Sequence, residues 1–162
     1  MSDNQNQEEN MQNAQAPTFQ INAQYIKDFS FEAPRMPFLM SDMKKMPKVD
    51  IAININAGPV NKEEHLYTVD LVLKVEAKQE AKTAFLCELT YGALVTLNIP
   101  EEHVQPMLLI EVPHLLFPYI RAIIANTTRE AGLMPLTLAP IDFAALYRAR
   151  QAQQQENVKK AN

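Results

Sequence analysis

Three histidines, one cysteine and three glycines bound the chemistry open to this chain. His103 and His114 could share a helix face about three turns apart. Prolines interrupt that segment, no second cysteine offers a thiolate, and Glu102 and Glu111 read as solvated carboxylates, so surface histidines fit better than a metal site. Cys87 stands between Phe85 and Leu89 in an alternating run, where a small buried hydrophobe suits the surroundings better than a nucleophile. Gly58, Gly92 and Gly132 fall in no phosphate-cradling or dinucleotide spacing. No serine lies in a nucleophile-elbow sequence. These residues point away from an enzyme, and away from metals and other cofactors.

Two constellations point to binding instead. Met36, Met40, Met43 and Met46 are four of the eight methionines and share one fourteen-residue stretch with Phe38 and Leu39. Unbranched, polarizable side chains can repack around many apolar shapes. The same composition suits a lid whose methionines fill gaps over the core. The second constellation is acidic: Asp28 and Glu32 lie four residues apart, on one side of an extended chain, and Glu88 lies beside Leu86 on the outward side of a later strand. Were those strands neighbours, the four would form an acidic patch with an apolar centre. Otherwise they belong to an ordinary solvated sheet face.

The elements that must position these groups follow from period. Residues 1–16 are half Asn and Gln, with nothing to bury, and are expected to form a disordered arm ahead of one domain spanning 17–150. Phe19, Ile21, Ala23 and Tyr25 alternate with polar residues as a first strand that ends before Pro34. The proline-rich run Pro34 to Pro47 predicts a long crossing loop. Val49, Ile51, Ile53 and Ile55 predict a second strand, a turn is expected at Gly58-Pro59, and Tyr67, Val69, Leu71, Leu73, Val75 and Ala77 mark one face of a third. In the fourth, Thr83 to Leu97, Phe85, Cys87, Leu89 and Tyr91 face one way and Leu86, Glu88 and Thr90 the other, with a bulge expected at Gly92. Helical sequence begins after Pro100 and is expected to break near Pro113. The main helix runs to about Ala131, where Gly132 can cap it. Asp142 can cap a last helix, which frays into a polar tail over 151–162. The fold class is α+β: a four-stranded antiparallel sheet with a crossing loop and C-terminal helices on one face.

From Leu115 to Ala125 only Pro118 and Arg121 interrupt an apolar run that covers the whole circumference of a helix. The run is too short for a bilayer, and Glu111, His114 and Arg121 oppose membrane insertion. A sheet can cover one side. A second copy of the chain is the economical cover for the other, placing Leu116, Ile120, Ile123 and Ile124 in or near an oligomer interface. The formal charge of -4 and scattered Lys and Arg argue against nucleic acid as a partner. The lone cysteine and the absence of a secretory signal in residues 1–16 predict the cytoplasm.

At KDFSFEAP (Lys27 to Pro34), TAFLCEL (Thr83 to Leu89), LLFPYIRAII (Leu115 to Ile124) and LAPIDFAALY (Leu138 to Tyr147) the chain resembles SecB, the bacterial cytosolic export chaperone. The resemblance runs in the same order from about Phe19 to Tyr147. It implies a homotetramer, a dimer of dimers with helices sandwiched between sheets. Such an assembly holds unfolded preproteins without ATP and passes them to the SecA motor. It also implies motor docking at Asp28, Glu32, Leu86 and Glu88, assembly-sensitive strand positions at Phe85, Cys87, Leu89 and Tyr91, and a client groove lined partly by the crossing loop. Within that loop Met36, Phe38, Leu39, Met40, Met43 and Met46 are the candidate client contacts. The crossing loop lacks the tryptophan of other members, and Val60 to Glu64 departs from the pattern. The alternative is an oligomeric domain that binds a small apolar ligand beneath the methionine loop.

Overall fold

Strands alternate where the sequence alternates. The computed structural model describes residues 18–39 and 47–160, the last three by backbone only. β1 (Thr18–Glu32), β2 (Lys48–Asn61), β3 (Leu66–Gln79) and β4 (Lys82–Asn98) form one antiparallel sheet in the order β1-β4-β3-β2. The chain must therefore cross from one edge to the other between β1 and β2, as the proline-rich loop predicts. Before that crossing leaves the described residues, Arg35 donates to Gln79 Oε1 at 2.9 Å, at the end of the β3–β4 hairpin, and Leu39 is buried in the core. The expected arm over 1–16 lies outside the described residues, as do Met40, Met43 and Met46.

On the inner face, Val69, Leu71, Leu73, Val75 and Ala77 of β3 and Cys87, Leu89, Ala93, Val95 and Leu97 of β4 are all fully buried. These are the central strands, and helices lie across them. α1 (Glu101–Pro106), a π-helical turn (Met107–Glu111) and α2 (Val112–Glu130) make one continuous helical segment. The expected break at Pro113 is thus a wide turn. Pro113 has no N–H for the carbonyl four residues back, and its ring would clash there. The ladder shifts just ahead of it, with the Val112 N–H donating to Met107 O, so the helix continues without a kinked gap. By length and composition alone the joined segment, Glu101–Glu130, could cross a membrane, although the apolar run Leu115 to Ala125 by itself is too short. Its Val112, Leu116, Ile120 and Ile124 side chains are instead committed to the chain's own core.

Gly132, at φ 77°, follows α2 as expected, and Leu133 N donates to Thr128 O at 3.0 Å. Thr128 is buried yet satisfied, donating to Ile124 O and accepting from Leu136 N, both at 2.9 Å, which ties the returning coil to the helix. Asp142 Oδ1 accepts from Ala145 N at 2.8 Å and so caps α3 (Phe143–Lys160). α3 continues well past Tyr147 as helix, and Arg150 Nη1 donates to Ile55 O on the β2 edge at 2.8 Å.

Three strand details differ from the alternation pattern. β2 runs through Gly58 and Pro59 to Asn61, and the turn follows at 62–65, where Asn61 Oδ1 accepts from the N–H groups of Glu63 and Glu64. An edge strand tolerates the proline because the ladder misses its N–H least there. β1 carries two bulges, between Ile21 and Ala23 and between Ile26 and Asp28. The first turns Ala23 and Tyr25 outward, away from the face shared by Phe19 and Ile21, and the second returns Phe29 and Phe31 to the inner face. Gly92 itself is not bulged: it pairs directly with Tyr25 and Asp70. Its missing side chain makes room for the Tyr25 ring, since a Cβ there would meet Tyr25 Cε2 at 2.5 Å.

Candidate functional site

The outer sheet face gathers the predicted acidic residues. In β1, Asp28, Ser30 and Glu32 stand opposite Thr90, Glu88 and Leu86 of β4, so all four predicted docking residues share one face of two neighbouring strands. The bulge at Lys27 precedes this stretch, so the four-residue spacing of Asp28 and Glu32 survives intact. Glu88 lies diagonal to both carboxylates, a separation of about 7–8 Å between backbones in an antiparallel pair. Leu86, half-buried, lies opposite Glu32 and next to Glu88 along the same face of β4.

Cations enter from β3 and from the second β1 bulge, and the sequence pattern gave no hint of their partners. Lys74 faces Glu88 across β3 and β4, and its Nζ lies 2.7 Å from Glu88 Oε1. The hydrogen bond to Glu88, and then the Glu88 charge, raise the Lys74 pKa above its ordinary value. Lys27, in the second bulge, bonds Asp70, and the bond and charge of that carboxylate raise its pKa likewise. Lys78 pairs with Glu76 at 3.1 Å. Asp28 and Glu32 have no ion-pair partner among the described residues.

The inner face has the opposite character. Phe85, Cys87, Leu89 and Tyr91 are buried within the single protomer. Phe31 stacks on Phe85 at 5.7 Å, and Tyr119 on Tyr91 at 6.2 Å. Leu116, Ile120 and Ile124 are also fully buried against the sheet, and Ile123 is half-buried. What the helix leaves open is its other side: Leu115, Pro118, Tyr119 and Ala122 are exposed at the spacing of one helical stripe. On β1 the inward-facing Ile26 and Phe29 are 51% and 40% exposed, because α2 lies across β3 and β4 and leaves this edge bare. An all-apolar helix wheel signals that both sides need cover but does not say which side the protomer's own sheet takes.

The loop residues divide. Leu39 is buried, Met36 packs partly against the core, and Phe38 is 76% exposed. The clefts nearest to a small-ligand site lie elsewhere. One of about 340 Å³ and one of about 170 Å³ are lined by Ile53, Ile55, Leu109, Tyr147, Arg150 and neighbours from β2, the π-helical turn and α3, without loop residues. Among the described residues no cluster of His, Cys, Asp and Glu could hold a metal ion. His114 packs edge-on to Phe143 instead.

A similar fold also occurs in a SecB-like chaperone of Mycobacterium tuberculosis, solved in complex with a peptide from an antitoxin. That structure aligns at a TM-score of 0.65 and 16% identity over 76% of this chain and 90% of the other, which establishes the fold. The family model described as preprotein translocase subunit SecB matches residues 12–154. The chain belongs to the SecB family. Relatives named protein-export protein SecB include those of Paramagnetospirillum magneticum, 49% identical over 85% of this chain and 88% of its own, and Rhodospirillum rubrum, 46% identical over 84% and 83%. The protein of Granulibacter bethesdensis is 43% identical over 86% of both chains.

Proposed function

We propose that this SecB-family chain is a cytosolic, ATP-independent holdase that keeps unfolded preproteins extended and hands them to the SecA motor. What carries the reading is the match, over most of the chain, to relatives named for protein export. The physical chemistry of the molecule agrees with it. The working unit is a homotetramer, a dimer of dimers, in which the bare stripe of Leu115, Pro118, Tyr119 and Ala122 and the exposed Ile26 and Phe29 are covered by other copies. Clients bind through many weak apolar contacts whose linkage supplies the affinity, with Phe38 and the methionines of the crossing loop among them. SecA docks on the acidic face of Asp28, Glu32, Leu86 and Glu88, where a basic segment meets carboxylates with the apolar Leu86 beside them.

The two activities separate because they use opposite physics. An apolar client contact survives moderate salt, whereas exposed carboxylates are screened over about 8 Å at physiological ionic strength. Titration of a reduced, unfolded protein against its native form tests the holdase, and preference for the native form rejects it. Glu88→Lys, titrated with an unfolded client and with SecA, tests the division of labour. Loss of SecA alone is expected. Equal loss of both would assign Glu88 to the fold or the client groove.

A further inference from the structure

On the outer sheet face Asp50, Asp70, Glu76 and Glu88 are already answered by lysines of the same chain, whereas Asp28 and Glu32 have no ion-pair partner among the described residues. We propose that Lys74 is a built-in competitor: it occupies Glu88 in the free chain, and a cationic partner must displace it to reach that carboxylate. This inference rests on the docking reading above.

The geometry makes displacement both necessary and cheap. Glu88 has Ser30 on one side and Lys74 on the other, so among the described residues the cation against it is the Lys74 ammonium at 2.7 Å. Both side chains are about half exposed, at 53% and 46%. An ion pair so wet is worth little, so a partner loses little by opening it. Once displaced, however, the ammonium stays tethered one strand away from the incoming cation and repels it. A single weakly placed positive charge gains nothing from the exchange. A segment with several Lys or Arg does, because Asp28 and Glu32, on the far side of Glu88, have no ion-pair partner among the described residues, and an Arg fork grips a carboxylate better than the ammonium it replaces. Lys74 thus raises the charge a partner must carry before it docks. It selects strongly basic segments over the weakly basic stretches common in unfolded clients.

Calorimetric titration of the full-length protein with purified SecA, at low and at physiological salt, tests this. Lys74→Gln, with Lys74→Met as a second variant, should tighten binding roughly three- to fivefold at low salt. The gain should shrink at the higher salt and vanish in the Glu88→Gln background. Client titration and solution mass should match the parent. Parental or weaker binding by both Lys74 variants, with Asp28→Asn/Glu32→Gln abolishing it, overturns the competitor and leaves the docking face standing. A gain that persists in the Glu88→Gln background also overturns it, since net charge alone would then explain the effect. Parental binding by Asp28→Asn/Glu32→Gln removes the docking face itself.

Discussion

The two faces of β4 are one residue apart in sequence and opposite in physics. Leu89 lies under α2 with 1% of its surface exposed, while Glu88 stands half in water against Lys74. The inner face is built from area removed from water, about 25 cal/mol per Å² of apolar surface, and tolerates nothing charged. The outer face is built from exposed ion pairs that add little to stability and can be opened by a partner. Stability belongs to one side of the sheet; under the proposed function assembly belongs there too, and exchangeable recognition to the other.

The strongest way to break that contrast is to swap polarity across it. Leu89→Asp should cost about 3 kcal/mol or more, because Leu89 is buried among apolar side chains and a carboxylate there would be desolvated, and the protomer should unfold at markedly lower urea. Glu88→Gln, its neighbour, should leave the urea midpoint near the parental value. Matching midpoints for the two variants would mean the faces are not energetically distinct.

A second test divides the inner face itself. Tyr119→Ser and Leu115→Ser remove exposed apolar area from α2, not buried area, so solution mass should fall while the far-ultraviolet circular dichroism spectrum of the protomer persists. The double variant should act more strongly than either. An unchanged mass would show that other copies do not cover this stripe, and the oligomer would have to be built on the β1 edge instead.

That division explains what could and could not be read from the chain. β3 and β4 were legible because each is buried on one face along its length, so period-two alternation maps directly onto burial. β1 was legible as a strand but not in its facing: two bulges shift the alternation twice, and no residue type marks Asn22 or Lys27 as the extra residue. Gly92 reads as a bulge in the sequence, but it pairs directly with Tyr25 and Asp70 and instead makes room for the Tyr25 ring, which only the register reveals. On the helix, Leu116 and Leu115 are the same residue type, so composition could not say which side the sheet would take. The acidic residues were found by type and resemblance. Lys74 escaped because a cross-strand ion pair depends on the β3–β4 register, which periodicity does not supply.

Gly92→Ala probes close packing on the outer face, and its effect should be moderate. The new methyl would meet Tyr25 Cε2 at 2.5 Å, Cζ at 2.9 Å and Asp70 Oδ1 at 3.0 Å. Tyr25 is 38% exposed and can swing aside, so the expected loss is about 1–2 kcal/mol by urea denaturation, less than overpacking a closed core demands. In a Tyr25→Ser background the same substitution should cost much less. A full cost there would put the strain on Asp70 and its bond to Lys27.

The smallest effect belongs to Cys87, and it reports on how well the inner face excludes water. Burial first, and then the neighbouring Glu88 charge, push the thiol from an ordinary 9.0 up to about 11. At neutral pH the thiol is protonated in both folded and unfolded chains and contributes nothing to the pH dependence of stability. Between about 9 and 11 the unfolded chain releases a proton that the folded chain keeps, so this group lowers stability as pH rises through that window and has no effect below it. Cys87→Ala should flatten that alkaline limb while shifting the neutral urea midpoint only slightly. In the parent, a colorimetric disulfide reagent at pH 8 should react at the rate of global unfolding, with full reactivity appearing only in denaturant. Fast, stoichiometric reaction in buffer would mean that solvent reaches the layer beneath Phe31 and Tyr119 in the free chain, and the inner face would be a more open surface than its burial implies.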